Sequence, residues 1–436
     1  MKQKIQYLGP RTSPLFRQKP VVRLLIIALL AEIGYAVLNL SAMPVYLKFD
    51  RGYDEDVIGF VLVAFLLSEA LFKGPMGQLA DRFGRKRLIV IGPAISLVTS
   101  VLTILIPHNI GAWETVSLVS LRILDGLGAA MLWPAAFALM GDTVEDGQRQ
   151  EAMSLLNMCY LGGIGLAFLV GGVINDVSGE RYASLVFSAI LFVGVAIAAY
   201  RLLPSGSDQR ASFSKSSPEG GGFQLSQLVE TARAIPAYLT LAVATFMAIG
   251  FPMAIIKIFA KEQFGLTESG FGLIVLPGLL AMMALSVPMS KLGERMGRAR
   301  AVHRGLALCS FGMAMIALGA FVPSFRSLWV VALGGIPVGI GFLLTIPAWF
   351  ASVADLDPNK RAANLGAIMT AQGVGAIIGA PLGSLLYARL PNLDPDFGRY
   401  SPFLGCAICL IFGWILSLRI LKADPPSESV TIDKNP

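Results

Sequence analysis

Twelve apolar segments, most of them near the ~20 residues an α-helix needs to cross a hydrocarbon core, begin near Leu24, Val57, Lys86, Trp113, Glu151, Tyr182, Pro236, Glu268, Arg300, Ser327, Ala362 and Ser401. Lipid leaves a chain of this kind little choice of fold class. Every backbone amide and carbonyl must find a partner without help from water, so apolar runs of this length form spanning helices. Composition agrees: 55% of residues are apolar and only 14% charged, with a mean hydropathy of +0.68, whereas soluble chains carry roughly a quarter charged residues. The expectation is an all-α integral membrane protein of twelve spans.

The spans fall into two related sets. Gly77 to Ile89 reads GQLADRFGRKRLI, and the segment 213 residues later, Ser290 to Val302, reads SKLGERMGRARAV. A second segment repeats at the same offset: Pro134 to Asp142 reads PAAFALMGD and Pro347 to Asp355 reads PAWFASVAD, with Gly126 and Gly128 aligned to Gly339 and Gly341. Register kept through a loop and a helix points to two parallel halves that arose by duplication. The expected divisions are a cytoplasmic N-terminal segment at 1–22, a six-helix bundle at 23–203, a linker at 204–234, a second six-helix bundle at 235–421 and a tail at 422–436. The Ser/Gly/Pro-rich run Pro204 to Gly222 cannot bury enough apolar surface to fold alone. After it, Leu225, Leu228, Val229 and Ala232 recur at helical spacing, as in a short helix on the membrane surface or a loop leading into helix 7.

The net charge of +7 reflects topology, not nucleic-acid binding. With the N-terminus placed inside, 25 of the 35 Lys and Arg lie in cytoplasmic segments, so the positive-inside rule sets both termini in the cytoplasm, as for a bacterial inner-membrane protein. The first apolar run exceeds a signal-peptide core and reads as a retained span. Four cysteines (Cys159, Cys309, Cys406, Cys409) all fall in apolar segments, and the two histidines, His108 and His303, lie in separate loops. Zinc therefore lacks a ligand set, and the thiols read as small buried hydrophobes. The acidic run Asp54, Glu55, Asp56 suits the start of helix 2. No cofactor, metal centre, P-loop or nucleophile–base pair is evident, and catalysis has no supporting constellation.

The loop between helices 2 and 3 resembles the signature loop of the major facilitator superfamily, approximately G-x-L-x-D-R-x-G-R-K/R, at Gly77, Leu79, Asp81, Arg82, Gly84, Arg85 and Lys86. The resemblance spans nearly the whole chain. It implies the two-bundle fold, and a latch of the outward-facing state in which Asp81 engages the start of helix 11 while Arg82 and Arg85 engage Asp142 at the inner end of helix 4. Helix 4 carries Arg122, Asp125, Gly126, Gly128, Ala129 and Ala130, similar to R-x-x-Q-G-x-G-A-A of proton-coupled members, with Asp125 in the Gln position. On helix 5, Gly163, Ala167, Phe168, Gly171 and Gly172 follow the antiporter pattern G-x-x-x-G-P-x-x-G-G without its proline, and Gly375, Gly379, Pro381 and Gly383 on helix 11 follow it better. Small residues four apart also serve ordinary close packing.

Five ionisable residues lie inside spans of the first half: Glu32, Glu69, Lys73, Arg122 and Asp125. Their mates in the second half are Thr245, Met282, Ser286, Gly335 and Val338. Each charge costs about 2.5 to 3.5 kcal/mol at a helix centre unless paired or wetted, which implies a polar cavity. Glu69 with Lys73 and Arg122 with Asp125 can pair along their own helices. Glu32, ~13 Å into helix 1, has no such partner. Desolvation and a nearby cation act on such a carboxyl in opposite directions, so it can take up and release a proton as water access switches sides. Arg122 is the cation expected to sense it. Direct binding of a cationic substrate and a static pair with Arg122 are the other readings of Glu32. Tyr35, Asn39, Phe246, Met247, Phe251 and Met282 are candidate cavity walls. Lys257, late in helix 7, is expected to snorkel outward, and Pro134, Pro252, Pro277, Pro288, Pro347 and Pro381 mark candidate helix breaks.

The expected function is a monomeric secondary transporter that exports an amphipathic or drug-like solute in exchange for protons, with Glu32, Glu69, Arg122 and Asp125 as coupling residues. Its partners are a small-molecule or lipid substrate, protons and membrane lipids. Translocation of a lipid or glycolipid, symport of a metabolite, and a non-transporting membrane sensor or scaffold are the alternatives.

Overall fold

The computed structural model describes residues 14–145, 148–203, 233, 235–354, 361–392 and 394–421; the side chains of Asp81, Met283, Ser286 and residues 361–366, among others, are outside that description. The expected linker, apart from Arg233 itself, its surface helix over Leu225, Leu228, Val229 and Ala232, and the tail at 422–436 also lie outside the described residues.

Every regular element described is helical. The first bundle holds α1 (Lys19–Phe49), α2 (Glu55–Phe83), α3 (Arg85–Leu105), α4 (Ala112–Thr143), α5 (Arg149–Ser178) and α6 (Ala183–Leu202). The second holds α7 (Pro236–Met253), α8 (Ile256–Phe264), α9 (Glu268–Met296), α10 (Arg298–Ala317), α11 (Leu328–Ala354), α12 (Arg361–Arg389) and α13 (Pro395–Ile420). Eleven helices among the described residues are long and apolar enough to span, and a twelfth span appears if α8 and the first half of α9, bent by 116°, are counted together. With its 29 residues, α9 is ~43 Å long and outreaches the hydrocarbon core by itself. Lys19 and Ile420 then share one end of the bundle, called proximal below; the other end is distal.

Sequence starts and structural starts agree within a few residues, because the apolar-to-polar change that ends a membrane run also ends its helix. The exceptions are informative. α1 contains a π-helical stretch at Val37–Ala42, in which the N–H of Met43 donates to the carbonyl of Leu38. Helix 7 breaks after Pro252, between α7 and α8, whereas Pro134, Pro277, Pro288, Pro347 and Pro381 sit inside continuous helices.

The duplication is visible in backbone detail. Gly84, between α2 and α3, has φ +98°, and its mate Gly297, between α9 and α10, has φ +87°, a conformation open to glycine and costly for side chains. Gly92 and Gly128 bring α3 and α4 together, a Cβ on Gly128 falling 2.7 Å from the carbonyl of Gly92; their mates Gly305 and Gly341 do the same for α10 and α11. The bundles meet through α5 against α9 and α2 against α12, two contacts that the 213-residue offset interchanges.

Candidate functional site

Two polar clusters lie inside the first bundle. The first is a closed network about a third of the way down α4 from its distal end. Arg122, 1% exposed, donates to Asn39 Oδ1 at 2.9 Å and to Thr103 Oγ1 at 2.8 Å and stands 3.4 Å from the Asp125 carboxylate. Asp125, 0% exposed, accepts from Asn39 Nδ2 at 2.6 Å and from Thr99 Oγ1 at 3.2 Å. Asn39 also donates to the carbonyl of Tyr35 at 3.1 Å. The π-helical stretch of α1 carries Asn39, and such stretches free a carbonyl and re-aim side chains. Charges on α4 are thus balanced and bonded between α1 and α3, an arrangement that holds its shape.

Deeper, near the midpoint of α1, lies Glu32. It is 5% exposed, and its Oε2 accepts from the indole Nε1 of Trp133 at 3.0 Å. Trp133 in turn meets Tyr160 edge-on at 4.9 Å and Phe137 at 5.8 Å between ring centroids. Gly163 of α5 lets that helix close on Glu32, since a Cβ there would come within 2.7 Å of the Glu32 Cβ and Cγ. From α2, Glu69 and Lys73 form an ion pair at 2.7 Å, near enough for both to act electrostatically on Glu32. The Lys73 side chain keeps 44% of its surface accessible, against 11% for Glu69. Lys73 lies four residues from the end of the apolar span Glu55–Gly77, where a lysine stem can carry its ammonium toward water. Three carboxyl groups stand against two cations in this region, and among the three only Glu32 lacks a cationic hydrogen-bond partner.

The expected pairs Glu69–Lys73 and Arg122–Asp125 are brought together. The expected contact of Glu32 with Arg122 is not: Asn39, Thr103 and Asp125 occupy the guanidinium, and Glu32 turns to Trp133 instead. Neither Trp133 nor the two threonines stood out in the sequence, although Thr99 and Thr103 lie one turn apart on α3. Tyr35 is buried 4.9 Å from the Phe192 ring, and Phe251 is buried against Gly383 and Gly405 within the second bundle, so both occupy packing positions and not open walls. Phe246, Met247 and Met282 remain half-buried. At the proximal end Arg85 pairs with Asp142 and donates to the carbonyl of Ala138 at 2.9 Å, and its mate Arg298 donates to that of Ala351 at 3.3 Å. Both residues of the Arg85–Asp142 pair belong to the first bundle. Gly77 lies near Pro134, Arg82 is exposed with an interaction of its own, and the side chain of Asp81 lies outside the described residues.

Lys257 does not snorkel. Its ammonium is buried between the bundles, donating to Ser41 O at 3.0 Å, Ser41 Oγ at 3.1 Å and Glu268 Oε2 at 2.8 Å. Outside both clusters, an apolar groove of about 370 Å³ opens between α1, α5 and α9, with Leu25, Ile26, Met158, Leu166, Leu276 and Leu280 among its walls.

Two helical bundles related by duplication, the first of them holding buried charges within its spans, have the architecture of a secondary transporter. The family model described as Major Facilitator Superfamily matches residues 24–249 and again 238–436, and the chain belongs to that superfamily. It is 25% identical over 417 residues to multidrug resistance protein 2 of Bacillus subtilis, covering 93% of this chain and 97% of the relative. To the multidrug efflux pump LfrA of Mycolicibacterium smegmatis it is 25% identical over 441 residues, covering 86% of this chain and 80% of that one. Its fold matches the crystal structure of the nucleoside transporter NupG with a TM-score of 0.72 at 11% identity, over 93% of this chain and 99% of the other.

Proposed function

We propose that this protein exports lipophilic cations in exchange for protons, across a bacterial inner membrane and with both termini in the cytoplasm. The observation that carries the reading is Glu32: one carboxyl at mid-span without a cationic hydrogen-bond partner, held by an indole N–H among three aromatic rings. A single negative charge in a cavity closed to bulk water takes one cation at a time, either a proton or an organic ammonium that the ring faces also attract. Occupancy by one excludes the other, which is the stoichiometric basis of antiport. Two relatives of similar length are named as multidrug resistance and efflux proteins, which supports the substrate class. The basic loops support the orientation, with the proximal end inside. The loop residues Gly77, Asp81, Arg82, Gly84 and Arg85, with Asp142, would latch the outward-facing state through Asp81 and the start of α12, since Arg85 and Asp142 alone do not bridge the bundles.

The test is exchange in proteoliposomes of the purified protein. With the membrane potential clamped, an acid interior should drive uptake of tetraphenylphosphonium and alkalinise the lumen in step, whereas a neutral sugar or a carboxylate should not move. Cation flux that is indifferent to the pH gradient would overturn the coupling. The apolar groove favours a second reading, movement of a lipid whose chains rest between α1, α5 and α9; transfer of a fluorescent lipid between leaflets in the same vesicles, without cation exchange, would replace the first.

A further inference from the structure

The distal ends of the two bundles are clasped twice, at positions that the 213-residue duplication interchanges. In one clasp the last turn of α5 meets the first turn of α9: Asp176 Oδ2 accepts from the backbone N–H of Ser269 at 2.7 Å, and Asn175 Nδ2 donates to Glu268 Oε2 at 3.1 Å. In the other, the end of α12 meets the start of α2, and Arg389 donates to Asp56 at 2.8 Å. Asp176 and Arg389 are mates, as are Ser269 and Asp56. Glycine allows both approaches, again at mated positions: a Cβ on Gly59 would come within 3.2 Å of the Pro381 Cα, and one on Gly272 would overlap the backbone at Leu169.

Burial is shared by the mates, Glu55 and Glu268 both being 6% exposed and Asp176 and Arg389 both lying at the surface, and the copies differ in the cation beside the buried acid. Arg389 is 68% exposed on its side chain, while Lys257 and Glu268 keep 2% and 6%. Glu55, the mate of Glu268, pairs with the half-exposed Lys48 near the end of α1; Lys257 stands one turn earlier than the mate of Lys48 and therefore points into the interface, where it reaches Ser41 of the first bundle. Both members of the Lys257–Glu268 pair belong to the second bundle, so separating the bundles leaves the pair intact. What breaks is a set of cross-bundle bonds: Lys257 to Ser41, Asn175 to Glu268, and Asp176 to the start of α9, where the helix dipole favours an anion.

We infer that Asn175, Asp176, Lys257 and Glu268 form the lock that holds the distal gate shut, with Arg389–Asp56 as its weaker twin. These are positioning residues, made to hold one state and to release without separating an ion pair. The inference is independent of substrate and of proton coupling, and its test needs neither.

The probe is Phe271→Cys, made in a background with Cys159, Cys406 and Cys409 replaced; Phe271 is buried, and its ring lies 5.6 Å from Phe168 across the interface. The introduced thiol is labelled in intact cells with a membrane-impermeant maleimide. Adding N175A/D176A should make it label about tenfold faster than in the parent, D176E should return toward the parent rate, and R389A should stay within about threefold. Native Cys309, buried in the second bundle, should remain unlabelled throughout. A parental rate in N175A/D176A, an equal gain in R389A, or labelling of Cys309 in step with the introduced thiol would overturn the lock. If the double variant fails to express, N175A and D176A taken singly are each expected to label faster than the parent, and parental rates in both would have the same meaning.

Discussion

Glu32→Gln should separate transport from its driving force. Gln preserves the volume and keeps an oxygen to accept from Trp133 Nε1 at 3.0 Å, so the fold loses only the difference between a charged and a neutral hydrogen bond, about 1 kcal/mol. Against that, the variant removes the cost of the ionised form of Glu32 at mid-span, about 2.5 to 3.5 kcal/mol on insertion scales, and costs nothing further where the carboxyl is already neutral. The Tm of the purified variant should therefore equal or exceed that of the wild type. Function should respond differently. A substrate cation ~5 Å from the carboxylate gains ~3 kcal/mol at an effective dielectric of about 20, so its affinity should fall by a factor on the order of 100. At saturating substrate, downhill exchange should persist, because the pathway is unchanged, while accumulation driven by an imposed pH gradient should drop to the level seen with an uncoupler. The assay is paired counterflow and gradient-driven uptake in proteoliposomes over a wide substrate range. Gradient-driven accumulation by the variant at saturation would refute Glu32 as the proton carrier. Equal loss of exchange and accumulation at saturation would assign it to substrate binding alone.

Asp125→Ala should lower thermal stability by about 3 to 5 kcal/mol, since it leaves the buried Arg122 guanidinium without its counter-charge; Asp125→Asn should lower it less and retain gradient-driven uptake, and loss of coupling in a stable Asp125→Asn would reassign the proton to the network. Gly128→Leu should abolish folded, monodisperse protein because a Cβ there overlaps the carbonyl of Gly92, whereas Gly194→Leu, with open space around its Cβ, should behave as wild type in size-exclusion chromatography. Asp81→Asn should shift reconstituted protein toward the proximal-open state, read as slower distal labelling of the F271C probe, and unchanged labelling would remove the latch.

Local patterns were legible in the sequence; cross-helix partners were not. Span starts follow from where apolar runs meet polar residues, and the 213-residue offset read from the sequence recurs in the structure as matched glycine turns at Gly84 and Gly297 and matched close crossings at Gly92–Gly128 and Gly305–Gly341. Pairs within a helix, Glu69–Lys73 and Arg122–Asp125, follow from helical spacing. The partner of Glu32 lies 101 residues away and depends on how α1 and α4 are rotated against each other. Packing sets that rotation, and the π-helical stretch at Val37–Ala42 alters it without an evident sequence signal. The expectation for Lys257 fails for a related reason. Snorkelling is the default of an isolated span, but α8 is not isolated: Ser41 and Glu268 offer the ammonium three acceptors inside the interface.

The two bundles divide the electrostatic work. Mates of the five charges near Glu32 are Thr245, Met282, Ser286, Gly335 and Val338, so the second bundle has no titratable group at those positions. A second intramembrane carboxylate would add its own insertion cost of about 2.5 to 3.5 kcal/mol. The buried charges Lys257 and Glu268 of the second bundle lie at the distal gate, and they compensate each other. Opening the gate leaves that pair together and ruptures cross-bundle hydrogen bonds worth about 0.5 to 3 kcal/mol each, while the cross-bundle ion pair Arg389–Asp56 sits at an exposed site where separation costs about 0 to 1 kcal/mol. Had the buried contact been an ion pair shared between bundles, each cycle would have stranded two charges in a low dielectric, at about 3 to 5 kcal/mol for the loss of either partner. Placing the strong pair within one bundle and weaker bonds between the two would keep the gate reversible, and under the proposed exchange the occupancy of Glu32 by a proton or a substrate cation would decide when it turns over.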